Sequence, residues 1–294
     1  MRPGFARRWG TFVGERFPLL GNLPPIAAFF AANVAVAARS AVPAMPRLIL
    51  AGAVLLSFFL RLRIFDDVKD QRTDVASNPG RPLARGLIAP GEARAVAFVL
   101  LALEAVLSAV LGRSALAAWL VAAGFSLLML EEFFCGTWLR PKLELYAVTH
   151  TFVACLMALM VFAAVSDFAS WRGSDLLFAL ASWAVFNVYE FARKTFDASG
   201  ERPGVDSYSS RLGAWGAGAL TTSQAWLAVL LASAVPARPW SRAAFIALAA
   251  ALTVSALAFA LHRAPARLLR AAAGLFILGF YTLAALSQLL REPS

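Results

Sequence analysis

Nine long apolar segments separated by short polar connections dominate this sequence. Each has about the 20 residues that an α-helix needs to cross the hydrocarbon core of a bilayer. They lie near residues 25–42, 47–64, 93–111, 115–134, 145–165, 175–192, 216–235, 242–261 and 269–290. Only 15% of the residues are charged and 60% are hydrophobic, which is too little polar surface for a water-soluble domain of this length. We therefore predict an all-α, polytopic membrane protein of about nine transmembrane helices around a central cavity.

Lysine and arginine are distributed unevenly between the two sides of this predicted bundle. Of the 27 basic residues, 20 fall in the N-terminal segment or in the connections after the second, fourth, sixth and eighth apolar segments. Because basic connections stay in the cytoplasm, we predict a multi-pass inner-membrane protein with a cytoplasmic N-terminus. The same excess of basic residues gives the chain a net charge of +10. We attribute this charge to contacts with membrane lipids rather than with nucleic acid.

The orientation also fixes the predicted domain layout. Residues 1–23 form a cytoplasmic segment, and residues 24–294 form one transmembrane domain. Two longer cytoplasmic loops, 65–92 and 193–215, hold about half of the 17 carboxylates of the chain. We expect the chemistry of the protein in these two loops.

The first acidic cluster follows the second apolar segment, within residues 65–74. If the helix continues through it, Asp67, Asp70 and Asp74 are spaced i, i+3 and i+7 and share one face. Three carboxylates on one face repel one another, so a cation should hold them together. Mg²⁺ is suited to this role because it takes oxygen ligands and bridges carboxylates to phosphates. The alternative is a solvated helix end whose acids are balanced by neighbouring basic side chains.

Two turns near these loops are rich in groups that bind phosphate. In the Pro- and Gly-rich turn 78–86, Arg81 and Arg85 can fork onto phosphate oxygens, or they contribute only to the orientation in the membrane. The hydroxyl-rich turn at 203–213 either binds phosphate or caps a helix.

The second acidic cluster closes the sixth apolar segment. Its side chains follow one another at spacings of three and four residues, which predicts a single polar stripe along a helix. The stripe consists of Asn187, Glu190, Lys194, Asp197 and Glu201. Polar groups at membrane depth are costly and usually face a wet cavity, so we predict a functional cavity here.

A third group lies between the fourth and fifth apolar segments. It contains Arg140 and Lys142, followed by Tyr146 and His150 at i, i+4 on the next helix. A lone histidine is more often a packing residue than a base, so both roles stay open. Glu104, midway along the third segment, is either a cavity carboxylate or a neutral, hydrogen-bonded one.

The first acidic cluster, the turn after it and the second acidic cluster together resemble the UbiA-type intramembrane prenyltransferase superfamily. The family's first motif is Asn-Asp-x-x-Asp-x-x-x-Asp, and residues 66–74 are similar to it, with Asp66 in place of the asparagine. The family's Arg-Pro-Leu-x-x-Gly is similar to residues 81–86. The second motif departs from the family, because Lys194 replaces its leading acid and Glu201 replaces an aspartate.

The resemblance implies nine helices around a cavity in which a pair of Mg²⁺ ions, one at each motif, holds an isoprenoid diphosphate between the two motifs. The implied metal ligands are Asp66, Asp67, Asp70, Asp74, Asp197 and Glu201, of which Asp67, Asp70, Asp74 and Asp197 are also the implied catalytic residues. We assign substrate binding to Arg81, Arg85, Lys194, Asn187, Glu190, Arg140, Lys142 and Tyr146. Four aromatic residues near the second motif are candidates for the walls of the cavity: Trp183, Phe186, Tyr189 and Phe191.

The leading hypothesis is therefore a Mg²⁺-dependent prenyltransferase that moves a prenyl group from an isoprenoid diphosphate to a small or lipid acceptor. Two alternatives use the same fold: a terpene cyclase, and a phosphoribosyl-type transferase that acts on a polyprenyl phosphate. An alternative from another class is a divalent-cation transporter. A transporter should hold its acids near the midplane, whereas these lie at helix ends beside arginines, which favours a phosphate.

Overall fold

The computed structural model describes residues 4–38, 43–201, 205–235 and 238–290, and the regular elements in these ranges are helical. The first six α-helices are α1 (Phe5–Arg16), α2 (Leu19–Ala38), α3 (Met45–Ser77), α4 (Pro90–Leu111), α5 (Arg113–Leu130) and α6 (Gly136–Leu139). The other six are α7 (Leu143–Thr151), α8 (Val153–Val165), α9 (Gly173–Arg193), α10 (Tyr208–Ala232), α11 (Pro239–Ala260) and α12 (Ala266–Leu289).

Eight segments of the described chain are long and apolar enough to cross a membrane, which confirms the predicted all-α, polytopic architecture. They are α2, α3, α4, α5, the consecutive helices α7 and α8, α9, α11 and α12. The seventh predicted span, 216–235, falls mostly in α10, which packs between α9 and α11. With 25 residues it is about 38 Å long, but the consecutive polar residues 221–224 make it less apolar than the other eight.

The spans pack side by side in the order α2, α12, α11, α10, α9, α8, α5, α4 and α3. Small residues allow close helix approach where the bilayer gives no hydrophobic drive for helices to associate. Gly218 of α10 illustrates this, because an added Cβ would lie 3.5 Å from the backbone oxygen of Ala256 on α11. Packing contacts of this kind, rather than burial from water, hold the bundle together.

Helix α3 continues well beyond its apolar part. Its 33 residues span about 50 Å, which exceeds the roughly 30 Å of hydrocarbon. The acidic segment 65–74 is therefore helical, as the sequence pattern requires, and the connection to α4 begins only at Asn78. The predicted loop 65–92 is thus a helix end followed by a short turn.

Helix α1 precedes the first span and is fastened to this same end of α3 and to the turn after it. Arg8 and Trp9 both bind the Glu92 carboxylate, at 2.5 Å and 2.9 Å. Glu15 pairs with Arg85 in the turn at 2.8 Å. The N-terminal helix is therefore part of the structure around the first acidic cluster.

Candidate active site

The first acidic cluster presents four carboxylates of different exposure on one part of α3. The Asp67 and Asp74 side chains are only 2% and 6% exposed, whereas Asp66 is 43% exposed and Asp70 is partly exposed. Their common placement follows from the continuous helix, since residues three and four apart lie on neighbouring positions of one face.

Arginine side chains form hydrogen bonds with the two buried carboxylates, those of Asp67 and Asp74. Arg16, the last residue of α1, donates to Asp67 from Nε at 2.8 Å and from Nη2 at 2.7 Å. Arg63, one helical turn earlier on α3, adds a further hydrogen bond to Asp67 at 2.7 Å. Arg81 donates to both oxygens of Asp74 at 2.6 Å. These charge-assisted hydrogen bonds hold the two buried carboxylates in place.

The two more exposed carboxylates are held less tightly. Asp66 pairs with Arg63 at 3.2 Å and lies 3.9 Å from the Lys69 ammonium. Asp70 forms no hydrogen bond or ion pair with any residue that the structure describes. Asp66 and Asp70 are four residues apart, so both carboxylates remain available on one face.

Two stacked aromatic rings show that the first cluster faces α9. Phe59 lies two helical turns before Asp66 on α3, and Phe186 lies one turn before Glu190 on α9. Their ring centroids are 6.2 Å apart. Arg193, at the end of α9, is close enough to Asp66 for a direct Coulomb interaction. The clusters on α3 and α9 therefore converge above the same aromatic residues.

The polar side chains of α9 are already partnered. Glu190 binds Arg193 at 2.5 Å and Lys194 at 3.1 Å. Asn187 is fully buried, accepts a short hydrogen bond from Thr151 and donates to Gln224 at 3.1 Å. Glu190 and Asn187 are therefore engaged by other residues of the protein in this structure. A role in substrate binding stays a prediction for both.

The prediction of a continuous five-residue stripe is wrong for its last two members. Helix α9 ends at Arg193 with Lys194 as its C-cap, so Asp197 and Glu201 lie beyond it. The Asp197 carboxylate accepts the backbone N–H of Ala266 at 2.9 Å, at the first turn of α12. A spacing of three and four residues continues in the sequence after the helix has ended, and that pattern alone does not reveal the end.

The described part of the hydroxyl-rich turn is a helix cap, and residues 203 and 204 lie outside the described ranges. Ser207 is the N-cap of α10 and accepts the Ser210 N–H at 2.9 Å. Glu201 accepts hydrogen bonds from the hydroxyls of Ser207 at 2.7 Å and Ser209 at 2.6 Å. The Glu201 carboxylate thus stabilises the start of α10, as capping groups do.

The remaining predicted phosphate ligands lie around the same end of the bundle. Arg85 is bound to Glu15, and this hydrogen bond raises the pKa of its guanidinium above the ordinary value. Arg140 binds Glu132 at 2.6 Å, and this bond likewise raises the pKa of Arg140. The Lys142 ammonium lies 3.1 Å from the centroid of the Trp138 ring, which is a cation–π contact.

A hydrogen-bond chain that the sequence did not predict joins the first cluster to the third group. The Lys69 ammonium donates to the Tyr146 hydroxyl at 2.7 Å, and that hydroxyl lies 3.4 Å from Glu132. Glu132 begins a turn of three residues with left-handed φ angles of 49°, 54° and 56°. Gly136 accommodates this carboxylate, because a Cβ there would collide with it. Such strained backbone concentrates at functional sites.

The four predicted wall residues of α9 have different surroundings. Phe186 contacts Phe29 of α2 as well as Phe59, with ring centroids 5.9 Å apart. Trp183 donates its Nε1 hydrogen to the Val148 carbonyl at 2.8 Å. Phe191 is fully buried against α10, and Tyr189 is 52% exposed. Of the four, Phe186 is the one placed beneath both clusters.

The donor set of the first cluster fits one Mg²⁺ ion. Mg²⁺ commonly binds one or two carboxylates together with waters and substrate phosphates, and Asp66 and Asp70 offer such a pair. Within the described ranges, no three His, Cys, Asp or Glu side chains form a preassembled metal cluster. Asp197 and Glu201 do not fit a second ion as they stand, because both carboxylates are engaged at helix starts.

Comparison with known proteins identifies the family and the fold of the chain. A model of the UbiA prenyltransferase family matches residues 23–281. None of the curated proteins matches the sequence. A solved structure of a digeranylgeranylglyceryl phosphate synthase in membranes superposes with a TM-score of 0.65, at 17% sequence identity, covering 96% of this chain and 99% of that one. At this identity the superposition shows a shared fold.

The family match and the membrane-spanning bundle together identify an intramembrane enzyme that acts on prenyl groups. The chain belongs to the UbiA prenyltransferase family, whose model matches most of its length.

Proposed function

We propose that this protein is a Mg²⁺-dependent prenyltransferase whose donor is an isoprenoid diphosphate. The observation that carries the proposal is the arrangement of Asp66 and Asp70 on the face of α3 that looks toward α9, with basic side chains on both sides. The four carboxylates of the first cluster are matched by Arg16, Arg63, Lys69 and Arg81. A cluster balanced in this way accommodates an anion together with one metal ion.

Asp66 and Asp70 would hold Mg²⁺ in this site. When bound, the ion would supply positive charge to the diphosphate oxygens and so ease cleavage of the allylic C–O bond. Arg81 and Lys194 would donate to the remaining phosphate oxygens, and fixed donors of this kind stabilise the charge on the leaving group. Arg16 and Arg63 hold Asp67 in place beneath them.

The aromatic cluster beneath the acids supports a role for the prenyl chain. Phe29, Phe59 and Phe186 contact one another, and Tyr281 lies 5.2 Å from Phe29. Aromatic faces stabilise a developing allylic cation, and an apolar wall excludes the water that would quench it. The diphosphate would thus lie at the water-facing end and the chain would extend into the bundle.

The second motif is proposed to act through its cations rather than through a second metal. Lys194 stands where the family has an acid, and Asp197 and Glu201 are engaged at helix starts. The arginines on Asp67 and Asp74 also disfavour the cation-transporter alternative, because a transported ion would have to displace each of them.

Thermal unfolding of the detergent-purified protein tests this proposal. Geranylgeranyl diphosphate with Mg²⁺ should raise the Tm well above that with Mg²⁺ or Mn²⁺ alone, by the equivalent of about 2.7 kcal/mol at 100 times Kd. Asp70→Asn should lose the joint effect. Asp167→Asn, at the opposite end of the bundle between α8 and α9, is the matched control and should keep it. Equal stabilisation by the metal alone would support a transporter instead.

A further inference from the structure

His150, on α7, has a defined tautomer in this structure. Its Nδ1 lies 2.8 Å from the backbone oxygen of Tyr146. A backbone carbonyl can only accept a hydrogen bond, so Nδ1 must carry the hydrogen. The other ring nitrogen, Nε2, therefore carries a lone pair.

That lone pair has no partner in the part of the chain that the structure describes. Nε2 of His150 is buried and forms no hydrogen bond with the residues that the structure describes. A buried acceptor without a donor is costly, so such a group asks for an explanation. A ligand that brings its own donor hydrogen provides one.

The ring is held rigidly in this orientation. The Tyr146 ring stacks on it with centroids 3.9 Å apart, and the edge of Phe133 meets it at 5.5 Å. Phe133 is the middle residue of the left-handed turn at 132–134. Strained backbone thus fixes one of the walls around the imidazole.

The imidazole lies next to the proposed diphosphate site. Tyr146, which stacks on it, accepts the hydrogen bond from Lys69, and Lys69 pairs with Asp66 of the first cluster. The ammonium of Lys69 also disfavours a positively charged acceptor at this place, because like charges repel. A neutral hydroxyl is a donor that suits both the lone pair and the cationic neighbour.

We propose that His150 is the general base of the transfer reaction and that the acceptor is a hydroxyl compound. In this step, which rests on the proposed function, the C–O bond to the diphosphate breaks and its electron pair leaves with the diphosphate. The acceptor oxygen supplies the electron pair of the new C–O bond. Its proton passes to Nε2, and the imidazolium later releases that proton to water.

Transfer kinetics test the proposal with the natural acceptor present. Membranes from a strain that lacks this protein retain that acceptor, and radiolabelled geranyl, farnesyl and geranylgeranyl diphosphates with Mg²⁺ serve as donors. His150→Phe keeps the stacked ring but has no lone pair, so we expect the rate of labelling to fall by about 100-fold or more. His150→Gln keeps an acceptor but is a weak base, so it should lower kcat more than it raises KM.

The exposed His262 provides the matched control, because it is the other histidine of the chain. His262→Asn tolerates the left-handed backbone there and should transfer at the rate of the unchanged protein. Full transfer by His150→Phe would overturn the assignment of the base. Absence of transfer by the unchanged protein would count against the proposed function instead.

A spectroscopic measurement tests the base without any transfer. In the His262→Asn protein labelled with ¹⁵N-histidine, one imidazole remains, and its couplings should show hydrogen on Nδ1 and none on Nε2. A short-chain alkyl glycerol, as a hydroxyl probe, should shift the Nε2 resonance. A hydrogen on Nε2, or no response to the probe, would overturn the proposal even if His150→Phe is inactive through misfolding.

Discussion

Arg61 and Glu104 form an ion pair inside the bundle, and both side chains are completely buried. Arg61 Nε and Nη2 bind the carboxylate at 3.0 Å and 2.9 Å, and Nη1 donates to Ser126 at 2.8 Å. Trp119 and Ser57 donate to the same carboxylate at 3.1 Å and 3.0 Å. Every strong polar group of the pair is thus satisfied, which is the condition for a buried charge network to be stable.

This ion pair explains how the acids of α3 come to face α9. Arg61 and Asp70 are nine residues apart, which at 3.6 residues per turn places them on opposite sides of the helix. Glu104 lies on α4, and Ser126 lies on α5. The pair therefore fixes the rotation of α3 against its outer neighbours and points the carboxylates inward.

Removing one partner of this pair should cost more than removing both. Arg61→Met leaves a buried carboxylate without its cation, and we expect a loss of roughly 3 kcal/mol. The double variant Arg61→Met with Glu104→Leu should recover most of that loss, because no buried charge remains. Reversible unfolding in mixed micelles measures both values. A double variant as unstable as the single one would contradict this account.

At the residue scale, the sequence indicated that charged side chains within the membrane need partners, but it did not identify those partners. Glu104 and Arg61 are separated by 43 positions, beyond the reach of the spacing rules within one helix. Their position in or beside apolar segments was itself a signal, since charges at membrane depth usually pair. No such signal in the sequence indicated the role of Glu132. The left-handed turn that Glu132 begins does not follow a familiar glycine pattern.

Among the elements, α12 depends on a residue that the family resemblance assigns to a metal. Asp197 binds the first N–H of α12, where a carboxylate also interacts favourably with the helix dipole. Arg270, one turn into α12, donates to the Thr195 carbonyl at 2.6 Å. These two bonds attach the segment after α9 to the start of α12.

Substitutions at Asp197 distinguish a cap from a metal ligand. Asparagine still accepts the hydrogen bond, so Asp197→Asn should retain stability and most of the Mg²⁺-dependent activity. Asp197→Ala should lose about 1 kcal/mol of stability, as other caps do. Thermal unfolding and transfer assays on the same samples measure the two effects. Complete loss of activity in a stable Asp197→Asn protein would restore the metal role.

At the element scale, periodicity predicted α3 well and the end of α9 poorly. The i, i+3 and i+7 acids required a helix through 65–74, and α3 provides it. The stripe on α9 instead ran past Arg193 into a segment that long-range bonds from Ala266 and Arg270 hold in place. Contacts with α12 therefore decide that region, and they lie outside any local pattern.

For the whole molecule, hydropathy was sufficient to predict a polytopic helical bundle. Eight of the predicted spans are found in the described residues, and α10 contains most of the other. The order of packing was not predictable in this way, because α2 packs against α12 from the opposite end of the chain. The cytoplasmic orientation of the N-terminus stays a prediction of the basic residues.

The convergence of α3 and α9 above one aromatic cluster is the central feature of the whole molecule. It brings the acids of the first motif close to the cations of the second motif. The aromatic cluster lies between these water-facing acids and the apolar interior. We expect a diphosphate to bind at this junction, held by a Mg²⁺ ion that Asp66 and Asp70 bind.

The most direct test is the rate of inorganic diphosphate release from geranylgeranyl diphosphate, with and without Mg²⁺, by the purified protein added to membranes of a strain that lacks it, which supply the acceptor. Release should require the metal, and Asp70→Asn should slow it on the order of 100-fold or more, as loss of a charge-stabilising group does. Asp167→Asn should release diphosphate at the rate of the unchanged protein. Metal-independent release, or full activity in Asp70→Asn, would contradict the account.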